Sequence, residues 1–318
     1  MDHIFTLHSI IEFYQQINGR VYVAFVDYTK AFDLINRSSL WLKLLQNGVK
    51  GKILNVIHNM YENAKSCVKS DGRRSDFFSC NIGVRQGENL SPVLFAIYLN
   101  DFRNAMSHSF NGLGSLCTEI QKELKMFVNL YVLLYADDTI VLAESAEQLQ
   151  KALCELHAYC NKWSLRINIS KTKIVIFSKG KVKKFPQFYL GEEKVEVVCD
   201  YVYLGVNFHC NGSFQGAIKK QILQAHKALY ALLNKARLLR LPIDIVIELY
   251  NVCITPILLY GSEIWGYECV EDIEIFHRRF LRTIMKTYKF TPNVMLYGES
   301  GEFNMRTLID SRMVSFWG

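Results

Sequence analysis

The stretch from Lys125 to Glu144 constrains the fold of this chain more than any other. It consists of two runs of β-branched, aromatic and aliphatic residues on either side of one acidic pair, Asp137-Asp138. Val128 to Tyr135 and Thr139 to Leu142 are therefore predicted to be strands of a tight hairpin with the carboxylates at its tip. Adjacent carboxylates beside apolar strands repel each other and lose hydration unless cations compensate. A metal site and an ordinary solvated turn, where Asp is common, both explain the pair.

Composition indicates a folded chain with room for one large domain or two smaller ones. Half of its 318 residues are hydrophobic, and Lys plus Arg exceed Asp plus Glu by 37 − 30 = 7. A polyanionic partner is compatible with this balance but is not required by it. The nine cysteines lack zinc-binding spacing and are typical of a reducing compartment. The sequence shows neither a signal-peptide pattern nor a bilayer-length apolar run, so we expect an intracellular protein without membrane association.

A second acidic position follows the apolar run Val21 to Val26, which is typical of a strand buried on both faces. The run ends at Asp27, and a carboxylate at the end of a buried strand is unfavourable without a partner. A helix cap or a salt bridge would also explain an isolated Asp. If this strand neighbours the predicted hairpin, Asp27 and the acidic pair can meet.

A glycine-rich loop precedes an apolar helix in the middle of the chain. Gly83 and Gly87 bracket Arg85-Gln86, and Ser91-Pro92 begins the helix. Such a loop allows close approach of another molecule and offers backbone N–H groups to anions. An ordinary loop-to-helix junction is the alternative interpretation.

Basic residues dominate two later regions. Residues 162–184 contain eight basic residues and no acid, and no acid occurs between Asp200 and Asp244. Basic helices after an acid-free tract are the pattern expected for tracking a phosphate backbone, although lysine-rich outer helix faces would look the same. Residues 201–206 are expected to form a short strand or turn. Helical spacing of apolar residues and a Ser145/Gln148 capping box predict helices at Ile4–Gln16, Leu40–Gln46 (capped by Asp33, Ser38 or Ser39), Ile53–Glu62, from Ser145 to Trp163, Gly216–Arg240, Ile243–Tyr260 and Asp272–Tyr288.

The three carboxylates suit one kind of chemistry. Mg²⁺ prefers oxygen ligands and is commonly held by one or two protein carboxylates together with substrate phosphates. Two such ions can clamp the attacking and leaving oxygens of an in-line phosphoryl displacement. The residues therefore permit a two-metal phosphoryl-transfer site, without naming the reaction.

The chain resembles the reverse transcriptases of non-LTR (LINE-type) retrotransposons over nearly its whole length. FVDYTKAFD is similar to the family's first carboxylate motif, GVRQGENLSP to its Arg-Gln-Gly motif, and YADD to its catalytic hairpin. INISKTK resembles the motif that follows, and YLG resembles the primer-grip element. Each motif is weak alone, but five in order with family-like spacing are specific. The Glu88-Asn89 pair varies in the family and adds a charge with no assigned role.

The resemblance implies a set of site residues. Asp27, Asp137 and Asp138 would be the metal ligands for two Mg²⁺ ions, with Mn²⁺ as an alternative and the Tyr28 carbonyl as a further ligand. Phe32 would block a ribose 2′-OH, and Lys171 would act as general acid toward pyrophosphate. The remaining implied residues bind substrate (Tyr28, Phe32, Arg85, Gln86, Gly87, Tyr135) or form the primer grip (Tyr203, Leu204, Gly205).

The resemblance also implies an α+β fold and an activity. We expect a right-hand polymerase palm, with a ferredoxin-like antiparallel sheet and helices, over residues 1–200 with a remnant of the fingers. An all-helical thumb with the following connection region is expected over residues 201–318. The implied activity is RNA-directed DNA polymerase, a nucleotidyltransferase that joins deoxynucleoside triphosphates to a DNA primer on an RNA template, in the nucleus or cytoplasm. The family normally carries sequence ahead of its first carboxylate motif, so we expect a copy truncated at the N-terminus.

Two alternatives stay open at this point. A catalytically inactive, nucleic-acid-binding remnant would keep the basic helices without the chemistry. An RNA-dependent RNA polymerase shares the palm, but Phe32 argues against it, because ribonucleotides need room or a polar partner at that position. The sequence leaves the oligomeric state undetermined.

Overall fold

A computed structural model describes residues 1–62, 64–102, 105, 113, 132–135 (backbone only), 138–180, 185–268 and 270–318. These residues form two units, called here the sheet unit (Ile17–Val198) and the helical unit (Met1–Gln16 with Cys199–Gly318). The division differs from the predicted domains in grouping the first helix with the C-terminal residues. Across the described residues, no helix combines the length and apolar character needed to span a bilayer.

The sheet unit contains ten strands and four of the helices described below. Its strands are β1 Arg20–Val26, β2 Lys65–Ser66, β3 Lys69–Ser70, β4 Arg73–Arg74, β5 Phe78–Ser79, β6 Val132–Tyr135, β7 Asp138–Ala143, β8 Lys173–Ser178, β9 Phe188–Leu190 and β10 Glu193–Val198. Six of them form one sheet in the order β6-β7-β1-β8-β10-β9, and the short strands β2 with β5 and β3 with β4 form two small ladders.

The helices of both units follow in chain order, and the sheet unit holds the second to the fifth. They are α1 Asp2–Gln16, α2 Arg37–Gln46, α3 Gly51–Glu62, α4 Leu90–Leu99, α5 Ala146–Lys162, α6 Gln215–Leu238, α7 Ile243–Cys253, α8 Thr255–Leu258, α9 Ser262–Trp265, α10 Glu271–Met285, α11 Asn293–Ser300 and α12 Met305–Trp317. The helical unit also contains a hairpin of β11 Asp200–Tyr203 and β12 Val206–His209.

Strand β1 lies inside the six-stranded sheet, between β7 and β8, and is antiparallel to both. Apart from Tyr22, all of its residues from Val21 to Val26 are at most 2% exposed, as the continuous apolar run predicts. Ala24 and Val26 pack in one cluster with Phe95 of α4 and Leu153 of α5. Each large apolar side chain buried in this way contributes about 2 kcal/mol. This core fixes the position at which β1 ends.

The predicted sheet is correct in its central pairs and wrong in one respect. Strands β6, β7, β1 and β8 are antiparallel, but β10 pairs with β8 in parallel, at Val197 opposite Ile174, so the sheet is mixed. The chain crosses over between these strands through the β9–β10 hairpin, and hydrophobic alternation alone does not distinguish the two directions of pairing.

Most predicted helices are present, with two corrections. The Ser145 hydroxyl accepts a hydrogen bond from the Gln148 N–H at 3.2 Å, which confirms the capping box at the start of α5. The cap of α2 is instead Asn36, whose side chain accepts from the Ser39 N–H. The helix predicted over Ile243–Tyr260 is interrupted after Cys253, because Pro256 begins the separate short helix α8.

The helical unit has its own core. Trp265 is fully buried, and the rings of Tyr250 and Phe280 stack with centroids 3.9 Å apart. Helix α1 contributes through Phe5, whose ring meets that of Trp317 edge-on at 4.7 Å. The prediction that residues 201–318 are all-helical is wrong at the β11–β12 hairpin, and helix dominates from Gln215 onward.

Candidate active site

The pairing of β1 with β7 places two of the three predicted acidic ligands at one end of the sheet. Val26 is opposite Thr139 in the antiparallel register, so Asp27 and Asp138 occupy the next positions on neighbouring strands. Directly opposite residues in such a pair have Cα atoms about 5 Å apart. Strand β6 pairs with β7 up to Tyr135 opposite Asp138. Asp137 and the side chain of Tyr135 lie outside the described residues, so their predicted roles stay predictions.

A turn formed by residues 166–172 holds the backbone at Asp27. The Asp27 N–H donates to the Thr172 hydroxyl at 3.2 Å, and the Asn168 N–H donates to the Asp27 carbonyl at 2.8 Å. Thr172 is fully buried, so its hydroxyl has a fixed position. The carboxylate itself keeps about a quarter of its surface exposed. Asp27 is therefore rigid in its backbone and open at its oxygens, as a ligand for a cation must be.

The same turn brings Lys171 to this carboxylate. Its Nζ lies 3.8 Å from Asp27 Oδ2, and two thirds of the lysine side chain is exposed. An ion pair this exposed contributes little to stability. The contact nevertheless places the predicted general acid beside a predicted metal ligand 144 residues earlier in the chain.

Tyr28 can serve a substrate or ion only through its backbone. Its side chain is 5% exposed, and its hydroxyl accepts a long hydrogen bond from the buried Thr139 hydroxyl at 3.5 Å. Burial raises the pKa of the Tyr28 phenol, so it stays neutral. The residue also pairs with Ile167 in an isolated β-bridge. Among the parts of Tyr28, only the carbonyl fits the predicted role.

Phe32 and the glycine-rich loop line one cavity. Its volume is about 620 Å³, and its lining includes Phe32, Gln86, Gly87, Asn89 and Pro92. The half-buried ring of Phe32 packs against that of Phe95 with centroids 5.0 Å apart. The residues predicted to gate the sugar and to contact the incoming nucleotide thus share one open space beside α4.

Hydrogen bonds fasten the glycine-rich loop to the segment after β1. The Gly83 N–H donates to the Ile35 carbonyl and the Val84 N–H to the Phe32 carbonyl, both at 2.8 Å. The Gln86 side chain donates to Asp33 Oδ1 at 2.9 Å. These bonds fix the loop relative to Phe32, which is what a defined nucleotide pocket requires.

Arg85 is engaged within its own neighbourhood. Its guanidinium donates to Glu88 Oε1 and to the Met60 carbonyl, each at 2.9 Å. The charge of Glu88 is thereby accounted for as the partner of Arg85. Any contact of Arg85 with substrate would have to compete with both bonds, so the structure favours a loop-fixing role for this side chain.

Arg37 is a contributor that the sequence gave no signal for. Its guanidinium donates to the carbonyls of Gly83 at 2.9 Å, Tyr61 at 2.8 Å and Ile82 at 3.2 Å. One arginine at the start of α2 therefore ties together the loop and the end of α3. Helix periodicity cannot reveal a side chain whose partners are carbonyls of distant loops.

Substituting Gly83 with Ala is expected to destabilise the protein by about 3 kcal/mol. Gly83 has φ +77°, and an added Cβ would lie 2.5 Å from the Asp33 carbonyl oxygen. Gly87→Ala is the matched control, since its φ is +86° but a Cβ there meets no atom within 4 Å. We expect that control to cost about 1 kcal/mol. Urea unfolding measures both, and equal losses would contradict the close approach at Gly83.

The predicted primer-grip residues form the tip of the hairpin in the helical unit. Leu204 and Gly205 join β11 to β12 with φ values of 46° and 82°, the two-residue turn that matches strand twist. The Tyr260 hydroxyl donates to the Leu204 carbonyl at 2.7 Å, and a Cβ on Gly205 would lie 2.9 Å from the Tyr260 ring. Tyr203 is buried. The tip is therefore a rigid feature, and its role with primer stays a prediction.

Several basic side chains attributed to a phosphate-binding surface have partners inside their own unit. Lys220 pairs with Asp200 at 3.0 Å, and Arg278 pairs with Glu271 at 2.5 Å. Lys173 pairs with Glu196 at 2.7 Å, and Lys181, Lys183 and Lys184 lie outside the described residues. The count of basic residues along the sequence therefore overstates the charge available to a polyanion.

The ligand set for a metal ion is only partly described. Among the residues that the structure covers, no three His, Cys, Asp or Glu side chains are grouped closely enough to hold an ion. Asp27 and Asp138 supply hard carboxylate oxygens at one strand end, a donor set that suits Mg²⁺. Asp137, the third predicted ligand, adjoins Asp138 in the sequence.

Comparison with known proteins identifies a family. The profile of the reverse transcriptase (RNA-dependent DNA polymerase) family matches residues 2–208. The RNA-directed DNA polymerase from mobile element jockey of Drosophila funebris is 23% identical over 295 residues, 87% of this chain and 30% of that protein. The Pol polyprotein of the R2DM element of Drosophila melanogaster is 26% identical over 201 residues, 60% of this chain and 18% of that protein.

A solved structure also matches. Telomerase from Candida tropicalis, in complex with a TWJ fragment of telomeric RNA, matches 98% of this chain and 48% of its own chain with a TM-score of 0.44 and 14% identity. The chain spans less than a third of the length of the two mobile-element relatives. Those relatives belong to non-LTR retrotransposons, as the motif resemblance implied. On the family match over residues 2–208, the chain belongs to the reverse transcriptase (RNA-dependent DNA polymerase) family.

Proposed function

We propose that this chain is the polymerase core of a non-LTR retrotransposon and extends a DNA primer on an RNA template. The observation that carries the proposal is the β1–β7 register, which brings Asp27 and Asp138 to one end of the sheet. The cavity shared by Phe32 and Gln86 supplies a space for the incoming deoxynucleotide. In this proposal the sheet unit is the palm and the helical unit is the thumb.

Two Mg²⁺ ions, or Mn²⁺ in their place, would be held by Asp27, Asp137 and Asp138, with the Tyr28 carbonyl as a further ligand. When bound, such ions activate the primer 3′-hydroxyl and neutralise the charge that develops on the α-phosphate. Because the Asp27 backbone is fixed by Thr172 and Asn168, its carboxylate is preorganised for this task.

The remaining side chains act on the nucleotide and the leaving group. Phe32 narrows the cavity at the position of the sugar and excludes a 2′-hydroxyl. Gln86, oriented by its bond to Asp33, and Gly87 face the base and template. Lys171 is exposed beside Asp27, so its ammonium can donate a proton to the departing pyrophosphate.

Primer extension tests the proposal directly. The full chain is incubated with an RNA template, an annealed DNA primer, deoxynucleotides and Mg²⁺, alongside the Asp137→Asn variant. We expect extension by the wild type and none by the variant, while both bind the heteroduplex with the same salt dependence. A folded wild-type chain that binds heteroduplex but never extends it would support the inactive nucleic-acid-binding remnant instead.

Replacing Phe32 with Ala is expected to reduce discrimination against ribonucleotides by about tenfold to 100-fold, the range that a change in pocket size produces. The ring is half-buried against Phe95, so thermal unfolding must show that the variant stays folded. The measurement is kcat/KM for a ribonucleotide relative to the matching deoxynucleotide. Phe77→Ala, which removes an exposed ring of the same unit, should leave the ratio unchanged. An unchanged ratio in Phe32→Ala would remove the gate assignment.

A further inference from the structure

The turn between α10 and α11 exposes two aromatic rings almost completely. This aromatic turn, defined as residues 286–292, carries Tyr288 at 87% and Phe290 at 89% relative exposure. Soluble proteins tolerate scattered apolar side chains, but neighbouring large rings in solvent are typical of a binding surface. The two rings alternate along the turn with lysines, since Lys286 and Lys289 precede them and both are exposed.

The backbone of the aromatic turn is fixed in place. The Thr287 N–H donates to the Arg282 carbonyl at 3.2 Å, and the Thr291 N–H donates to the Tyr288 carbonyl at 3.1 Å. From the last turns of α10, the Arg282 guanidinium reaches across to the Thr291 carbonyl at 3.1 Å and to Asn293 Oδ1 at 2.8 Å. The rings are therefore displayed from a preorganised loop, which lowers the entropy lost when a ligand stacks on them.

The charge around the turn is uniformly positive. No acidic residue occurs between Glu274 and Glu299 in the sequence, a stretch with five basic residues. Arg282 is used to fix the turn and Arg278 pairs with Glu271. Among the described residues, the ammonium groups of Lys286 and Lys289 have no ion-pair or hydrogen-bond partner. Their charges are available to an anionic ligand.

We propose that the aromatic turn binds single-stranded nucleic acid, with bases stacked on Tyr288 and Phe290 and phosphates near Lys286 and Lys289. Every base has a π-face, so such stacking tolerates any sequence. A duplex fits less well, because its bases already stack on one another. An acidic protein segment would satisfy the lysines but would gain little from two nearly bare rings. The site is separate from the sheet-end carboxylates and needs no nucleotidyl transfer.

Fluorescence anisotropy with a labelled oligouridylate of about ten nucleotides tests the site in the full chain. We expect Tyr288→Ala and Phe290→Ala each to weaken binding about tenfold, and the double variant to lose about 100-fold. Tyr288→Phe keeps the ring and should bind as the wild type does. Lys289→Gln should lower the slope of log affinity against log salt by about 0.7.

Phe303→Ala is the matched control, because this exposed ring lies beside Glu302 rather than beside lysines. It should leave the affinity unchanged, and thermal unfolding should be unchanged in all these surface variants. Wild-type affinity in the double variant would overturn the proposal. An equal loss of affinity for a blunt RNA–DNA duplex would also overturn it, because stacking on free bases could not be the cause.

The outcome is independent of the catalytic proposal. Asp137→Asn should abolish extension without changing oligouridylate binding, whereas the aromatic-turn variants are read out by binding alone. Loss of extension in every assay with stacking intact would contradict the polymerase assignment and leave the aromatic turn supported.

Discussion

Replacing Asp27 with Asn is expected to lower the rate of primer extension about 1,000-fold. A bound metal ion supplies several kcal/mol of charge stabilisation in the transition state, and each 1.36 kcal/mol corresponds to a factor of ten in rate. Asn keeps the shape of Asp but removes the negative charge that attracts the ion. Single-turnover extension with saturating deoxynucleotide measures the chemical step, because product release does not limit it.

The fold should survive this substitution. The bonds that hold position 27 run through its backbone, from its N–H to Thr172 and to its carbonyl from Asn168. The side chain contributes only the exposed contact with Lys171 at 3.8 Å, so its loss changes the free energy of unfolding little. Weaker Mn²⁺ binding in a titration followed by electron paramagnetic resonance would show that the missing charge acts through the ion.

Asp71→Asn is the matched control for this experiment. Asp71 is exposed in a turn of the same unit with φ 49°, a conformation that Asn tolerates. The control changes the net charge by the same amount and should extend primers at the wild-type rate. Equal rates for Asp27→Asn and the wild type would show that Asp27 does not hold a catalytic ion.

The sequence could predict the central strands because their burial leaves a local pattern. The apolar run before Asp27 and the alternating strands around the acidic pair each identify a strand end, and β1 and β7 are neighbours with those ends together. Phe32 and Gln86 could be placed in one pocket only through the family resemblance. Neither residue carries a periodic signal, yet both line the same cavity.

The features that the sequence could not predict depend on contacts between distant segments. The parallel pairing of β10 with β8 follows from how the chain crosses over, and side-chain alternation is the same in either direction. Neutralisation of Lys220 by Asp200 or of Arg278 by Glu271 requires knowing which faces the helices present. Charge counts along a sequence therefore predict the sign of a surface better than its strength.

A buried lysine is the largest departure from what the sequence pattern indicates. Lys43 lies on amphipathic helix α2, where a lysine is expected on the solvent side, but it is 1% exposed. Its Nζ donates to the Tyr98 carbonyl at 2.6 Å, to the Tyr159 hydroxyl at 2.8 Å and to Asp101 Oδ1. The ammonium also lies 3.7 Å from the centre of the Trp163 ring.

The cluster joins three helical segments around one charge. Burial lowers the pKa of Lys43, and the hydrogen bond and charge of Asp101 oppose that effect. The Tyr159 hydroxyl, which accepts from Lys43, donates to Asp101 at 2.6 Å. Each polar atom of the cluster thus depends on Lys43 for part of its hydrogen bonding, which is the condition under which removing one partner is most costly.

Lys43→Ala is therefore expected to destabilise the protein by about 4 kcal/mol, since it opens a cavity beneath the aromatic rings and leaves buried polar groups unpaired. Lys43→Met fills the same space without the charge and should cost about half as much, because Asp101 is 40% exposed and can recover water as a partner. Lys151→Ala, at an exposed position of α5, should change the free energy of unfolding by less than about 0.5 kcal/mol. Urea unfolding of the four proteins measures these differences. Equal losses in the Ala and Met variants would mean that the charge, rather than the volume of the side chain, accounts for the stability that Lys43 provides.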